Sequence, residues 1–114
     1  MDIRNASKGT ELATSAQAAV SFGSRLVGLL GSSSLPPGGG LILEPCRSIH
    51  TAFMRFEIDA VYVDRLRRVT KLVPGLKPFR LSGVLRGAAA VIELPAGAIA
   101  RSRTDVGDQL VFVE

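Results

Sequence analysis

Residues 58–63 constrain the fold of this chain more than any other segment, because they form an apolar run interrupted by a single carboxylate. Successive side chains of a strand point to opposite faces, which places Asp59 on one face together with Val61 and Val63. Both faces are apolar apart from Asp59, a pattern typical of a strand that is covered on both sides. The run therefore predicts a central strand that carries a carboxylate into the core.

Further apolar segments, separated by prolines and glycines, predict a strand-rich fold. The predicted strands cover residues 40–44, 53–64, 68–73, 89–94 and 109–113. Residues 11–20 fit either a strand or a helix. Several short strands with few helical residues favour a β-barrel or a β-sandwich. We therefore expect a mostly-β, compact single domain over residues 1–114.

One short helix is predicted near residues 21–30. Phe22, Leu26, Leu29 and Leu30 follow the spacing i, i+4, i+7 and i+8, which forms one apolar stripe on a helix. A serine at the first position can cap this helix, and a glycine just after the last position can end it. Two internal glycines weaken the isolated helix, so packing must hold it.

Composition places the chain among ordinary basic globular proteins. With 114 residues, of which 46% are hydrophobic and 21% charged, it can bury a core without disulfides or a metal. Cys46 has no second cysteine to pair with, which is typical of a reducing compartment. The first residues lack the basic start and apolar run of a signal peptide, and no stretch approaches the ~20 apolar residues of a membrane span. We expect a cytoplasmic protein without a membrane span.

Several motifs occur in a fixed order between residues 25 and 108. They are Arg25 ahead of Gly28-Leu29-Leu30, the turn Gly38-Gly39-Gly40, Ser48-Ile49-His50-Thr51, the segment 54–64, Glu93-Leu94-Pro95-Ala96-Gly97 and Gly107-Asp108. In this order they resemble the DUF192 or UPF0127 family of small bacterial and archaeal proteins. The resemblance implies a compact β-barrel-like fold with a short helix, and no established biochemical function. Family genes often lie beside secretion or pilus-assembly genes, so the resemblance also implies a protein partner of that kind.

One departure from the family pattern concerns the turn after Asp64. The family usually turns there with Asp-Gly or a similar pair, whereas here Asp64 is followed by Arg-Leu-Arg-Arg. Tight two-residue hairpin turns depend on glycine or asparagine. We therefore expect a longer or differently shaped turn.

Five polar residues define the candidate ligand-binding site: His50, Thr51, Arg55, Asp59 and Glu93. Asp59 and Glu93 each lie among apolar residues, where a carboxylate must find a donor or take up a proton. If both lined one pocket with the other three residues, that pocket would bind a small polar ligand or perform acid–base chemistry. The structural alternative is that each carboxylate accepts backbone amides or pairs with an arginine. The sequence leaves both interpretations open.

Cys46 and His50 suggest a catalytic pair or a metal site, but their spacing does not favour either. In an extended strand they would lie about 13 Å apart at ~3.3 Å per residue, beyond the reach of a shared metal. Metal ligands would have to converge from separate strands, since no CxxC or HxxxH spacing is present. The sequence therefore assigns neither a cofactor nor a metal, and it leaves open whether the chain is an enzyme.

Arg65, Arg67, Arg68 and Lys71 form a basic cluster at a predicted hairpin tip, in a chain of net charge +4. Such a hairpin could contact nucleic-acid phosphates, or it could be a solvated loop that protects strand edges. Few aromatic residues are available to stack on bases, so nucleic acid is the less favoured partner.

Three functions follow from the sequence, in order of preference. The first is a small binding or accessory module with a polar pocket around residues 46–59 and an unidentified ligand or protein partner. The second is an enzyme, metal-assisted or acid–base, that uses His50 with Asp59 or Glu93. The third is a nucleic-acid binder that uses the basic hairpin.

Overall fold

The computed structural model of the chain describes residues 1–19, 35, 37–44, 57–77 and 87–114. Within them the chain forms eight strands and one short helix: β1 (Asp2–Asn5), β2 (Thr10–Ala13), β3 (Ser15–Ala19), β4 (Gly39–Leu43), β5 (Ile58–Val63), β6 (Val69–Leu76), β7 (Ala90–Pro95), α1 (Ala98–Ser102) and β8 (Leu110–Val113). The mostly-β prediction is confirmed. The helix predicted near residues 21–30 and the first part of the strand predicted over residues 53–64 lie outside the described residues.

The described strands form two sheets that do not close into a barrel. One sheet has five strands in the order β3-β4-β7-β5-β6, and the other has three in the order β2-β1-β8. All neighbours pair antiparallel except β3 and β4, which run parallel. Of the two architectures expected from the sequence, the sandwich-like one describes these sheets better than the barrel.

The two faces of β5 belong to different apolar clusters. Val61 and Val63 join a cluster that draws residues from both sheets and from α1, whereas Ile58 and Tyr62 join a second cluster. All six residues of β5 are buried, and the strand lies between β7 and β6. Both the interior position of this strand and its alternation were predicted from the sequence.

Two elements of the described structure were not predicted: β1 and α1. In β1, buried Ile3 and Asn5 alternate with the more exposed Asp2 and Arg4, and one isoleucine among polar residues gives no strand signal. The helix α1 has five residues, too few to show a helical period. The open choice for residues 11–20 is decided in favour of strand, since β2 and β3 cover most of that segment.

Candidate functional site

Asp59 holds together three separate parts of the fold. Its side chain is 1% exposed, and one carboxylate oxygen, Oδ1, accepts the backbone N–H of Gly75 in β6 at 2.9 Å. The other oxygen, Oδ2, accepts the backbone N–H of Ile99 in the first turn of α1 at 2.8 Å. The N-cap residue of α1, Gly97, makes no side-chain capping bond, so Asp59 supplies the cap from a neighbouring strand. This is the amide-binding role that the structural alternative expects.

Glu93 lies on the opposite face of the same sheet. In the register between β5 and β7, Asp59 is opposite Leu94, and Glu93 is opposite Ala60. Because residues directly opposite share a face and successive residues alternate, the two carboxylates point away from each other through the sheet. Glu93 is 2% exposed and lies on the face of the second apolar cluster. The prediction that Asp59 and Glu93 line one pocket is therefore wrong. The sequence did not reveal the register between β5 and β7, which places them on opposite faces.

The rest of the candidate site lies outside the described residues. This holds for His50, Thr51 and Arg55, and also for Cys46. Their participation stays a prediction, and so does the spatial pairing of Cys46 with His50. Within the described part of the chain, no group of three or more His, Cys, Asp or Glu residues is placed to hold a metal ion.

Two residues of the basic hairpin are engaged within the protein. The guanidinium of Arg67 pairs with the carboxylate of Glu44 and lies 4.5 Å from the ring centroid of Phe112. The ammonium of Lys71 lies 5.3 Å from the ring centroid of Tyr62. These contacts stabilise the two cations where they are, so a nucleic acid would have to compete with them for Arg67 and Lys71.

The turn of this hairpin covers residues 64–68 and is longer than a two-residue turn, as expected from the missing glycine. The carboxylate of Asp64 accepts the backbone N–H groups of Leu66 and Arg68, both at 2.9 Å. Arg67 adopts a left-handed backbone conformation with φ 65°. This conformation is unfavourable for residues other than glycine, because the Cβ atom crowds the backbone. The contacts of Arg67 with Glu44 and Phe112 offset that cost.

A buried polar network joins the start of the chain to its end, and sequence reasoning missed it. The amide Nδ2 of Asn5 donates to Thr104 Oγ1 at 3.1 Å and to Asp108 Oδ2 at 2.9 Å. The ammonium of Lys8 donates to the same Asp108 oxygen at 2.7 Å and to Asp105 at 2.9 Å. The only signal was the Gly107-Asp108 motif, because its partners lie about a hundred residues away in sequence.

Hydrogen bonds in this network change the acidity of two groups. The pKa of Asp108 falls from 3.8 to about 2, first because of the bond from Asn5 and then because of the bond from Lys8. The pKa of Lys8 rises, chiefly through its bonds to Asp108 and then Asp105. The network therefore favours the charged forms of both groups at neutral pH.

Two open grooves lie on the described surface. One, of about 430 Å³, runs between β2, the turn before β4 and the β7–α1 connection, with Glu11 and Arg101 on its walls. The other, of about 450 Å³, crosses the three-stranded sheet beside Arg4 and Val111. Neither groove is lined by Asp59 or Glu93, so the candidate site is a separate place.

No helix in the described part of the chain is both long and apolar enough to cross a bilayer.

Comparison with known proteins gives consistent matches along nearly the whole chain. The model of the DUF192 family, described as an uncharacterized ACR, matches residues 3–112. A UPF0127 protein of Pyrococcus furiosus is 31% identical in an alignment of 111 positions that covers 93% of this chain and 93% of that one.

Two solved structures share the fold. A protein of unknown function from Novosphingobium aromaticivorans superposes with a TM-score of 0.80 at 19% identity, over 97% of this chain and 82% of that one. A Sinorhizobium meliloti protein, named as a proposed transcription regulator, superposes with a TM-score of 0.77 at 19% identity, over 96% and 89%. At these identities the likeness extends to the fold alone.

Proposed function

Since this chain belongs to the DUF192 family, which has no established biochemical function, we propose its function from its own residues: it is a small ligand-binding module. The binding site would lie on the Glu93 face of the five-stranded sheet. His50, Thr51 and Arg55 would complete it, as the sequence predicts.

The observation that carries this proposal is the separation of the two buried carboxylates. Asp59 is engaged by the backbone amides of Gly75 and Ile99, so its role in the fold accounts for its burial. Glu93 is buried to the same degree in β7, the middle strand of the sheet, with Leu41 and Ala60 as its cross-strand neighbours. A buried carboxylate needs polar partners, and the residues predicted to share its pocket, His50, Thr51 and Arg55, would supply them together with a ligand.

The same separation weakens the enzymatic alternative in which His50 acts with Asp59. A general acid or base must exchange protons with a substrate, and both carboxylate oxygens of Asp59 already accept amide hydrogens. An acid–base enzyme would have to rely on Glu93 instead. Glu93 is therefore the first residue to mutate, whether the chain is a binding module or an acid–base enzyme.

The native mass of freshly purified protein, compared with its denatured mass, tests the proposal. We expect the wild-type protein to carry an excess mass that disappears on denaturation, and we expect Glu93→Gln to lose that excess. Glu57→Gln is the matched control, because Glu57 is an exposed glutamate just before β5. Equal native and denatured masses for the wild-type protein would contradict a retained ligand, and an unchanged excess in Glu93→Gln would contradict the site.

We also propose a cytoplasmic location and a protein partner of the secretion or pilus-assembly class. The lone Cys46 supports the first, because a single thiol suits a reducing compartment. Family resemblance supports the second. Cell fractionation tests the location, and recovery of the chain with periplasmic proteins would contradict it.

A further inference from the structure

The tip of the β5–β6 hairpin presents an apolar side chain to solvent. Leu66 is 68% exposed, the largest value among the large hydrophobic residues that the structure describes. Single exposed hydrophobic residues are common on protein surfaces and need no explanation by themselves. The surroundings of Leu66 distinguish it from the others.

The backbone of Leu66 is satisfied from within the protein. Its N–H donates to the carboxylate of Asp64 at 2.9 Å, and its C=O accepts the side-chain amide of Gln109 at 2.6 Å. A polar backbone group without a partner cannot enter an apolar medium cheaply, because water no longer satisfies it. Leu66 can therefore leave water without giving up a hydrogen bond.

Two exposed cations flank this apolar tip. Arg65 and Arg68 are both exposed, and the ion pairs within the described part of the chain include neither of them. Asp64 offsets one of these charges, but its carboxylate faces the amides of the turn. The chain as a whole, including these arginines, has a net charge of +4, which attracts it to anionic surfaces over a longer range.

We propose that this hairpin tip is a membrane-surface contact that binds anionic phospholipid, with Leu66 in the headgroup region and Arg65 and Arg68 on lipid phosphates. An apolar side chain between two cations suits the boundary of a bilayer, where arginine stems also gain from apolar contact. A nucleic acid would gain nothing from Leu66. The ring of Phe112 already lies against Arg67.

Binding of the full chain to vesicles tests this contact. Phosphatidylcholine vesicles with and without phosphatidylserine are sedimented with wild-type protein, Leu66→Ser, or the double variant Arg65→Gln/Arg68→Gln. We expect wild-type protein to bind only the phosphatidylserine vesicles, since each basic residue near an anionic surface contributes about fivefold to partitioning. The double variant should bind about 30-fold more weakly by the same reasoning. Leu66→Ser should bind several-fold more weakly.

Matched controls separate this contact from nonspecific attraction. Val106→Ser removes a hydrophobic side chain of similar exposure, 62%, and Arg101→Gln/Arg103→Gln removes two exposed charges from the end of α1. Val106→Ser should bind like the wild-type protein, and Arg101→Gln/Arg103→Gln should lose much less binding than the double variant of the tip, although both lose two charges. The proposal is overturned if wild-type protein ignores phosphatidylserine vesicles, if the controls lose as much binding as the tip variants, or if a DNA duplex binds the tip and vesicles do not. The proposed Glu93 site is separate from the hairpin tip. The tip variants should therefore keep any excess of native over denatured mass.

Discussion

Asp59 shows how a charged residue inside a sheet can serve the fold. Its two oxygens bind amides from β6 and from α1, so a single carboxylate fixes a helix and a strand against β5. Its negative charge also faces the amino end of α1, where the helix dipole favours it. The cost of burying this group is offset by those contacts.

Replacing Asp59 by alanine should lower the free energy of unfolding by about 3 kcal/mol or more. Each hydrogen bond to a charged group contributes about 1.5–3 kcal/mol, and the variant leaves two amides without their acceptor. Urea unfolding measures the loss. Asp2→Ala, at a partly exposed aspartate of β1, should change stability by no more than about 0.5 kcal/mol. Equal losses in the two variants would contradict the role given to Asp59.

Asp108 makes the stability of the fold depend on pH in the acidic range. Its pKa is 3.8 in the unfolded chain and about 2 in the folded protein. The stabilisation is therefore complete above pH 3.8, and it is lost as the pH falls towards about 2.

Comparison with Asp108→Asn isolates this contribution, because the amide keeps the shape of the side chain without its charge. At neutral pH the free energy of unfolding should be about 1.5–3 kcal/mol lower in the variant than in the wild-type protein, as expected for the loss of hydrogen bonds to a charged group. The difference should shrink as Asp108 is protonated. Urea unfolding over this pH range measures it, and a difference independent of pH would contradict the assignment.

Among the elements, the β5–β6 turn shows how side chains replace a missing glycine. Asp64 binds two amides of the turn, and Arg67 is held in a left-handed conformation by its contacts with Glu44 and Phe112. These contacts support the turn that presents Leu66 at its tip.

Asp64→Ala should loosen this turn and lower the free energy of unfolding by about 1 kcal/mol, typical of a lost side-chain cap. The amide hydrogens of Leu66 and Arg68 should exchange faster with solvent, because their acceptor is gone. Asp64→Asn is the control, since its amide oxygen can still accept both bonds. Unchanged exchange in Asp64→Ala would show that the carboxylate does not order the turn.

An element could be predicted from the sequence when its apolar residues repeat with a clear strand or helix period. β5 was predicted as an interior strand because both of its faces are apolar, and this follows from the sequence of the strand alone. β1 buries Asn5 as well as Ile3, and α1 is shorter than two helical turns, so neither shows a clear period. Their positions follow from partners far away in the chain.

The two sheets share one apolar cluster, and β1 and β8, near the two ends of the chain, pair with each other. The candidate site was only partly predictable from the sequence. Asp59 and Glu93 were correctly expected to be buried, from their apolar neighbours. Their placement on opposite faces depends on the pairing of β5 with β7, and no local pattern specifies that register.

Asp59 has a structural role, and we propose that Glu93 binds the ligand. The difference between native and denatured mass, measured for wild-type protein, Asp59→Asn and Glu93→Gln, distinguishes the two roles. We predict an excess mass in wild-type protein and in folded Asp59→Asn, and none in Glu93→Gln. An excess that survives in Glu93→Gln and disappears from folded Asp59→Asn would reverse these roles.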